Sequence, residues 1–90
     1  MLQIITAIEN RLVLQFKYRN DTYRKVDTYI LGLNANGEMY IRCFEINEGW
    51  KLFKVSEMTN LWVASTKVYG HKSGYKSNDA FFSKVIKKVK

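Results

Sequence analysis

Proline is absent from the 90 residues, and cysteine and histidine occur once each, as Cys43 and His71. Without proline, tight turns must be made by Gly, Asn and Asp, whose backbones accept the conformations that turns need. A lone cysteine cannot close an intramolecular disulfide. With a lone histidine it cannot supply the ligand set of a structural zinc site either. Long apolar runs are missing too. No stretch approaches the roughly 20 apolar residues of a membrane-spanning helix. The start, MLQIITAIENR, has neither the basic flank nor the apolar run of a secretion signal, so a cytoplasmic location is expected. Paired carboxylates, a metal-ligand cluster and a glycine-rich phosphate loop are also lacking. Gly70-His71-Lys72-Ser73-Gly74 does not have a phosphate loop's spacing. These absences point away from an enzyme or a cofactor protein and towards one that works by binding.

What is present is a core. Hydrophobic residues make up 47% of the chain and aromatic ones 14%. That suffices for one folded domain and leaves no room for a second. The abundance of Tyr and Phe favours strands over helices. Charge is unevenly spread. Residues 1–66 hold eight Lys/Arg and seven Asp/Glu, whereas residues 67–90 hold seven Lys and one Asp. The tail therefore carries nearly all of the net charge of +7. Such an asymmetry suits contact with phosphate or another acidic surface, or simply keeps a small domain soluble.

Residues 2–10 have the apolar spacing of a short helix. Residues 12–19 alternate strictly, with Leu12, Leu14, Phe16 and Tyr18 on one side, the pattern of a half-buried strand. Residues 23–33, 38–46, 50–55 and 61–65 read as four further strands. The turns between them are Asn20-Asp21, Asn34-Ala35-Asn36-Gly37, Asn47-Glu48-Gly49 and a short helical link at 56–60. The expected fold is mainly β (α+β), a small five-stranded barrel whose closure removes exposed edges, with the N-terminal helix capping one end. Residues 1–65 would form this barrel and 66–77 a loop. Residues 78–90 would form a basic amphipathic helix capped by Asn78 or Asp79. Its stripe of Phe81, Phe82, Val85 and Ile86, continued by Val89, would dock on the barrel, on a protein partner or second copy of the chain, or on an acidic membrane surface.

The order of these motifs resembles the WYL domain family. An apolar-Ala-Ile motif occurs at Ile4-Ile5-Thr6-Ala7-Ile8, and a strand ends in tyrosine at Leu14-Gln15-Phe16-Lys17-Tyr18. Arg24, Val26 and Leu31 match the next motif, where Thr28 replaces a proline. Met39-Tyr40-Ile41 stands where the family has Trp-Tyr-Leu. Lys51-Leu52-Phe53-Lys54-Val55, with Met58, resembles the last aromatic stretch. The resemblance covers residues 4–63. It implies an Sm-like (SH3-like) barrel and a regulatory, ligand-sensing role in prokaryotic or phage proteins, with nucleic acids or nucleotides as the ligand class.

Arg24 and Arg42 are the leading candidates for binding an anion, because each interrupts an apolar strand and guanidinium matches phosphate geometry. The alternative is that both are solvated strand residues. Tyr40 and Phe44 flank Arg42 and offer base-stacking rings, or are core. Lys51 is preferred to Lys54 because Phe53 shares its face. Trp50 and Trp62 read as packing residues before binding anchors. Cys43 alternates with Met39 and Ile41 and reads as buried, and His71 has no orienting carboxylate nearby, so neither is a candidate nucleophile or base.

Overall fold

The computed structural model describes residues 1–90. Helix α1 (Leu2–Asn10) buries Ile4, Ala7 and Ile8 and ends at Arg11, whose backbone is left-handed at φ 53°. Six strands follow: β1 (Leu12–Tyr18), β2 (Thr22–Leu33), β3 (Met39–Glu45), β4 (Gly49–Lys54), β5 (Met58–Lys67) and β6 (Lys84–Lys88). All are antiparallel, in the order β4-β3-β2-β1-β5, with β6 on β2. The helix packs on β1, β2, β5 and β6. The first four strands lie within two residues of the expected ranges 12–19, 23–33, 38–46 and 50–55.

Closure does not occur as expected. The sheet path ends at β4 on one side and β5 on the other, and these two strands do not pair. A one-turn 3₁₀ helix, Val55–Glu57, joins them. The gap is bridged by side chains: the Lys54 backbone N–H donates to the Tyr18 hydroxyl at 3.0 Å. Phe53 packs edge-on against Phe16 and Tyr18 at 5.2 and 4.6 Å between centroids. These contacts tie β4 to β1 across the inside of the curved sheet, while β4 and β5 themselves share no ladder.

The expected C-terminal helix is also corrected. Residues 84–88 form β6, and the reason lies in β2. β1 covers only the Thr22–Val26 half of one edge of β2, leaving Ile30–Leu33 without a partner on that side. β6 fills it, with Ile30 opposite Lys88 and Leu33 opposite Lys84. The β-branched Val85, Ile86 and Val89 suit this pairing, and tertiary hydrogen bonding overrides their helical spacing. Consecutive residues of a strand point to opposite faces, so the apolar stripe is broken up. Phe82 and Val89 enter the core, Phe81 packs against it, and Val85 and Ile86 remain 41% and 38% exposed.

Thr28, which stands where the resembled WYL motif has proline, sits where the β2–β3 register slips between Thr28 and Ile30. Bulges are among the few places where a sheet tolerates proline. The Thr28 hydroxyl is buried and has no hydrogen-bond partner. Thr28→Val removes this unsatisfied group at nearly constant shape and is expected to stabilise the fold by about 1 kcal/mol, read as a rise in the urea midpoint at unchanged m-value.

Candidate cleft on the outer face of the sheet

Residues directly opposite each other in an antiparallel pair share a face. On β3, Tyr40, Arg42 and Phe44 lie on one face, opposite Lys54, Leu52 and Trp50 of β4. Arg24 and Lys51 lie on the other. Arg24 is opposite the buried Phe16, and Lys51 is opposite the buried Cys43. The five candidate residues therefore do not surround one hollow, and Arg24 and Arg42 point to opposite sides of the sheet.

Arg24 and Lys51 converge on Glu45. Arg24 Nη1 lies 3.2 Å and Lys51 Nζ 3.4 Å from Glu45 Oε1. The Arg24 guanidinium also lies over the Phe53 ring, 5.4 Å from its centroid. Glu45 is buried on the face of Ile41 and Cys43, and a carboxylate there needs cationic partners. Both residues are thereby committed to the fold. The signal in the sequence is Glu45 itself, an acid at an inward position of an alternating strand.

Tyr40, Arg42 and Phe44 are brought together, but under a cover. Residues 68–83 cross the outer face of β2, β3 and β4. Trp50 donates its indole N–H to the Ser73 carbonyl at 2.9 Å, and the Tyr29 hydroxyl accepts from Lys72 N–H at 2.8 Å. Tyr29 packs against Trp50, Tyr75 and His71. Phe81 sits edge-on to Tyr40 at 5.0 Å. The sequence reading treats residues 66–77 as a polar loop. His71 and Tyr75, four residues apart within it, are the signal that it carries packing groups.

Between this strap and β3–β4 lies a cleft of about 480 Å³. Arg42 and Trp50 form one wall, and Tyr75, Lys76, Asn78 and Asp79 the other. The Trp50 and Tyr75 rings are 6.3 Å apart and inclined by 23°. Arg42 holds Asp79 with two bonds, Nε to Oδ2 at 2.7 Å and Nη2 to Oδ1 at 3.3 Å. Burial alone would raise the pKa of Asp79, but the Arg42 bonds and the Phe81 N–H outweigh it and hold the carboxyl below its ordinary value of 3.8. Asp79 is thus an ion-pairing residue, not the helix cap the sequence suggests. Its partner bonds favour the folded state above pH 3.8, and that contribution is lost as pH falls through the lowered value. Tyr75, whose hydroxyl is buried without a partner, has its pKa raised by burial and then by the charge of Asp79. Burial likewise pushes the Cys43 thiol well up, which leaves it unreactive.

All four arginines are in ion pairs, with Asp27, Glu57, Glu45 and Asp79. The uncompensated positive charge is carried by lysines. Lys76 at the cleft has no carboxylate partner, nor do Lys17, Lys25, Lys67, Lys72, Lys84, Lys88 and Lys90.

No family model matches the chain, and no curated protein matches it. Among solved structures, the proteasome accessory factor B/C (PafBC) of Arthrobacter aurescens is similar, with a TM-score of 0.72 over 83% of this chain at 18% identity. The chain spans 13% of that protein's length. At such identity the likeness is one of fold, and it supports a WYL-like fold.

Proposed function

We propose that this chain is a non-enzymatic, WYL-like regulatory module that binds a nucleotide-type anion, free or as part of a nucleic acid, in the cleft between β3–β4 and the strap. The observation that carries the reading is the Arg42–Asp79 pair. Guanidinium holds this carboxylate in the two-pronged geometry by which it also holds phosphate. A phosphate that displaces Asp79 meets Arg42 with Lys76 on the opposite wall. A base can then stack on Trp50 or Tyr75. The cleft lies in the usual size range of small-ligand sites, roughly 300–1,000 Å³. The WYL-like fold supports a regulatory role, while the small share of PafBC covered means that nothing of that protein's wider activity is carried over.

The other reading, a protein-interaction module acting through Phe81, Phe82, Val85 and Ile86, loses its main support. Two of these four side chains pack inside the molecule, and no continuous apolar face remains.

The test is fluorescence anisotropy with labelled mononucleotides at two salt concentrations. Arg42→Ala is expected to weaken binding about tenfold or more and to flatten its salt dependence. Asp79→Asn, which also loosens the strap, is expected to strengthen binding because it removes the competing charge. The opposite signs separate ligand binding from mere loss of the strap. Absence of binding at low salt, or equal weakening by both variants, would sink the reading.

A further inference from the structure

The outer face of β5, β1 and β2 lies away from the strap and holds a second arrangement of rings and cations. Gln15 on β1 is opposite both Trp62 on β5 and Lys25 on β2. Lys17, two residues on, is opposite both Thr59 and Tyr23. These six residues form two adjacent rows across three strands, all on one face. Trp62 is 59% and Tyr23 63% exposed. The Tyr23 hydroxyl accepts a bond from Asn60 Nδ2 at 3.2 Å, which steadies the ring. Neither row contains a carboxylate, and Lys17 and Lys25 have no acidic partner. Elsewhere in the molecule the arginines are neutralised, and the other strongly exposed ring, Tyr69 at 85%, stands outside the sheet. Here rings and charges are both left open.

We infer that this face binds single-stranded nucleic acid, with Trp62 and Tyr23 stacking bases and Lys17 and Lys25 meeting the backbone phosphates. The charge is of the complementary sign, and exposed rings interleaved with lysines on a sheet are the groups that single strands use. Strand spacing puts the two rings about 12 Å apart along the diagonal, which suits bases that are not immediate neighbours in an extended strand. A duplex keeps its bases stacked on one another and offers these rings little. The inference goes beyond the cleft and does not require it to be occupied.

The experiment uses the full chain and labelled 12-mers of deoxythymidine and of uridine, with a duplex of the same length as competitor. Trp62→Ala is expected to weaken 12-mer binding about tenfold or more. Trp62→Phe should restore most of it. Lys17→Glu combined with Lys25→Glu should abolish binding at moderate salt, and none of these changes should alter mononucleotide binding in the cleft. Binding of either 12-mer on these terms supports the inference, and the preferred sugar tells DNA from RNA. Several results overturn it: full 12-mer binding by the Trp62→Ala variant, competition by duplex equal to that by single strand, or a Trp62-dependent dimer in sedimentation with no 12-mer bound. Loss of mononucleotide binding with 12-mer binding intact counts against the cleft alone.

Discussion

Arg11→Ala is expected to destabilise the fold by about 3–5 kcal/mol, and in a domain of this size that lowers the melting temperature by more than about 10 °C. The reason is Asp27, which is 2% exposed in the middle of β2. Both Asp27 oxygens are held by Arg11 Nη2 at 3.1 Å. The same guanidinium donates through Nη1 to the Gly70 carbonyl at 2.9 Å and lies 5.1 Å from the Tyr29 ring centroid. One side chain thus joins the end of α1, the centre of β2 and the start of the strap. Its removal leaves a carboxylate inside the protein with no counter-charge. Replacing both partners with apolar residues, as in Arg11→Met with Asp27→Leu, should recover most of the loss. If thermal melting shows the single variant within 1 kcal/mol of the parent, water reaches Asp27 and the pair is not a fixed part of the core.

Gly32→Ala has the next largest expected effect, and it acts at a different place. Gly32 is paired on both sides, with Tyr40 of β3 and Val85 of β6. A Cβ there would lie 2.5 Å from the Lys84 carbonyl oxygen and 2.7 Å from Phe82 Cδ1. Neither distance is tolerable, and the nearer atom is backbone. The chain must therefore move at β6 or at Phe82, at a cost of about 1–3 kcal/mol or more. The expected result is local. Hydrogen exchange should show lost protection at residues 84–89 and at the β2 amides that face them within Ile30–Leu33, and a protease should cut within 67–83, while the amides of β1, β3, β4 and the Thr22–Val26 half of β2 stay protected. Uniform loss of protection would mean that β6 is an inseparable part of the core; no change would mean that β6 does not press on β2 at all.

The sequence reveals most where one element's pattern is decided by its own face. β1 and β3 alternate cleanly, so their inward and outward residues can be read directly, and Tyr40, Arg42 and Phe44 do share a face. β5 is read too short, as residues 61–65. A bulge against β1 and the left-handed backbone of Asn60, at φ 52°, interrupt its alternation. Residues 81–89 satisfy a helical stripe as well as a strand. What decides between them is the unpaired half of β2, a property of register that no local window contains. The same limit applies to the cleft. Arg42 can be singled out in the sequence, but Asp79 lies 37 positions away. Arg24 shows the converse failure, since its fit to an anion is met by Glu45 within the protein. Trp62 reads as a packing residue because large rings usually are, and its 59% exposure beside Gln15 becomes visible only in the folded sheet.

The cleft reading rests on a phosphate taking the place of Asp79 beneath Trp50. Proton–nitrogen correlation NMR during a mononucleotide titration observes this directly, because the Trp50 indole N–H bonded to Ser73 and the amides of residues 74–81 report on the cleft. The account predicts saturable shifts of the Trp50 indole and the 74–81 amides, and their loss in Arg42→Ala. Shifts confined to the lysines of β6, or none at all in low salt, would contradict it.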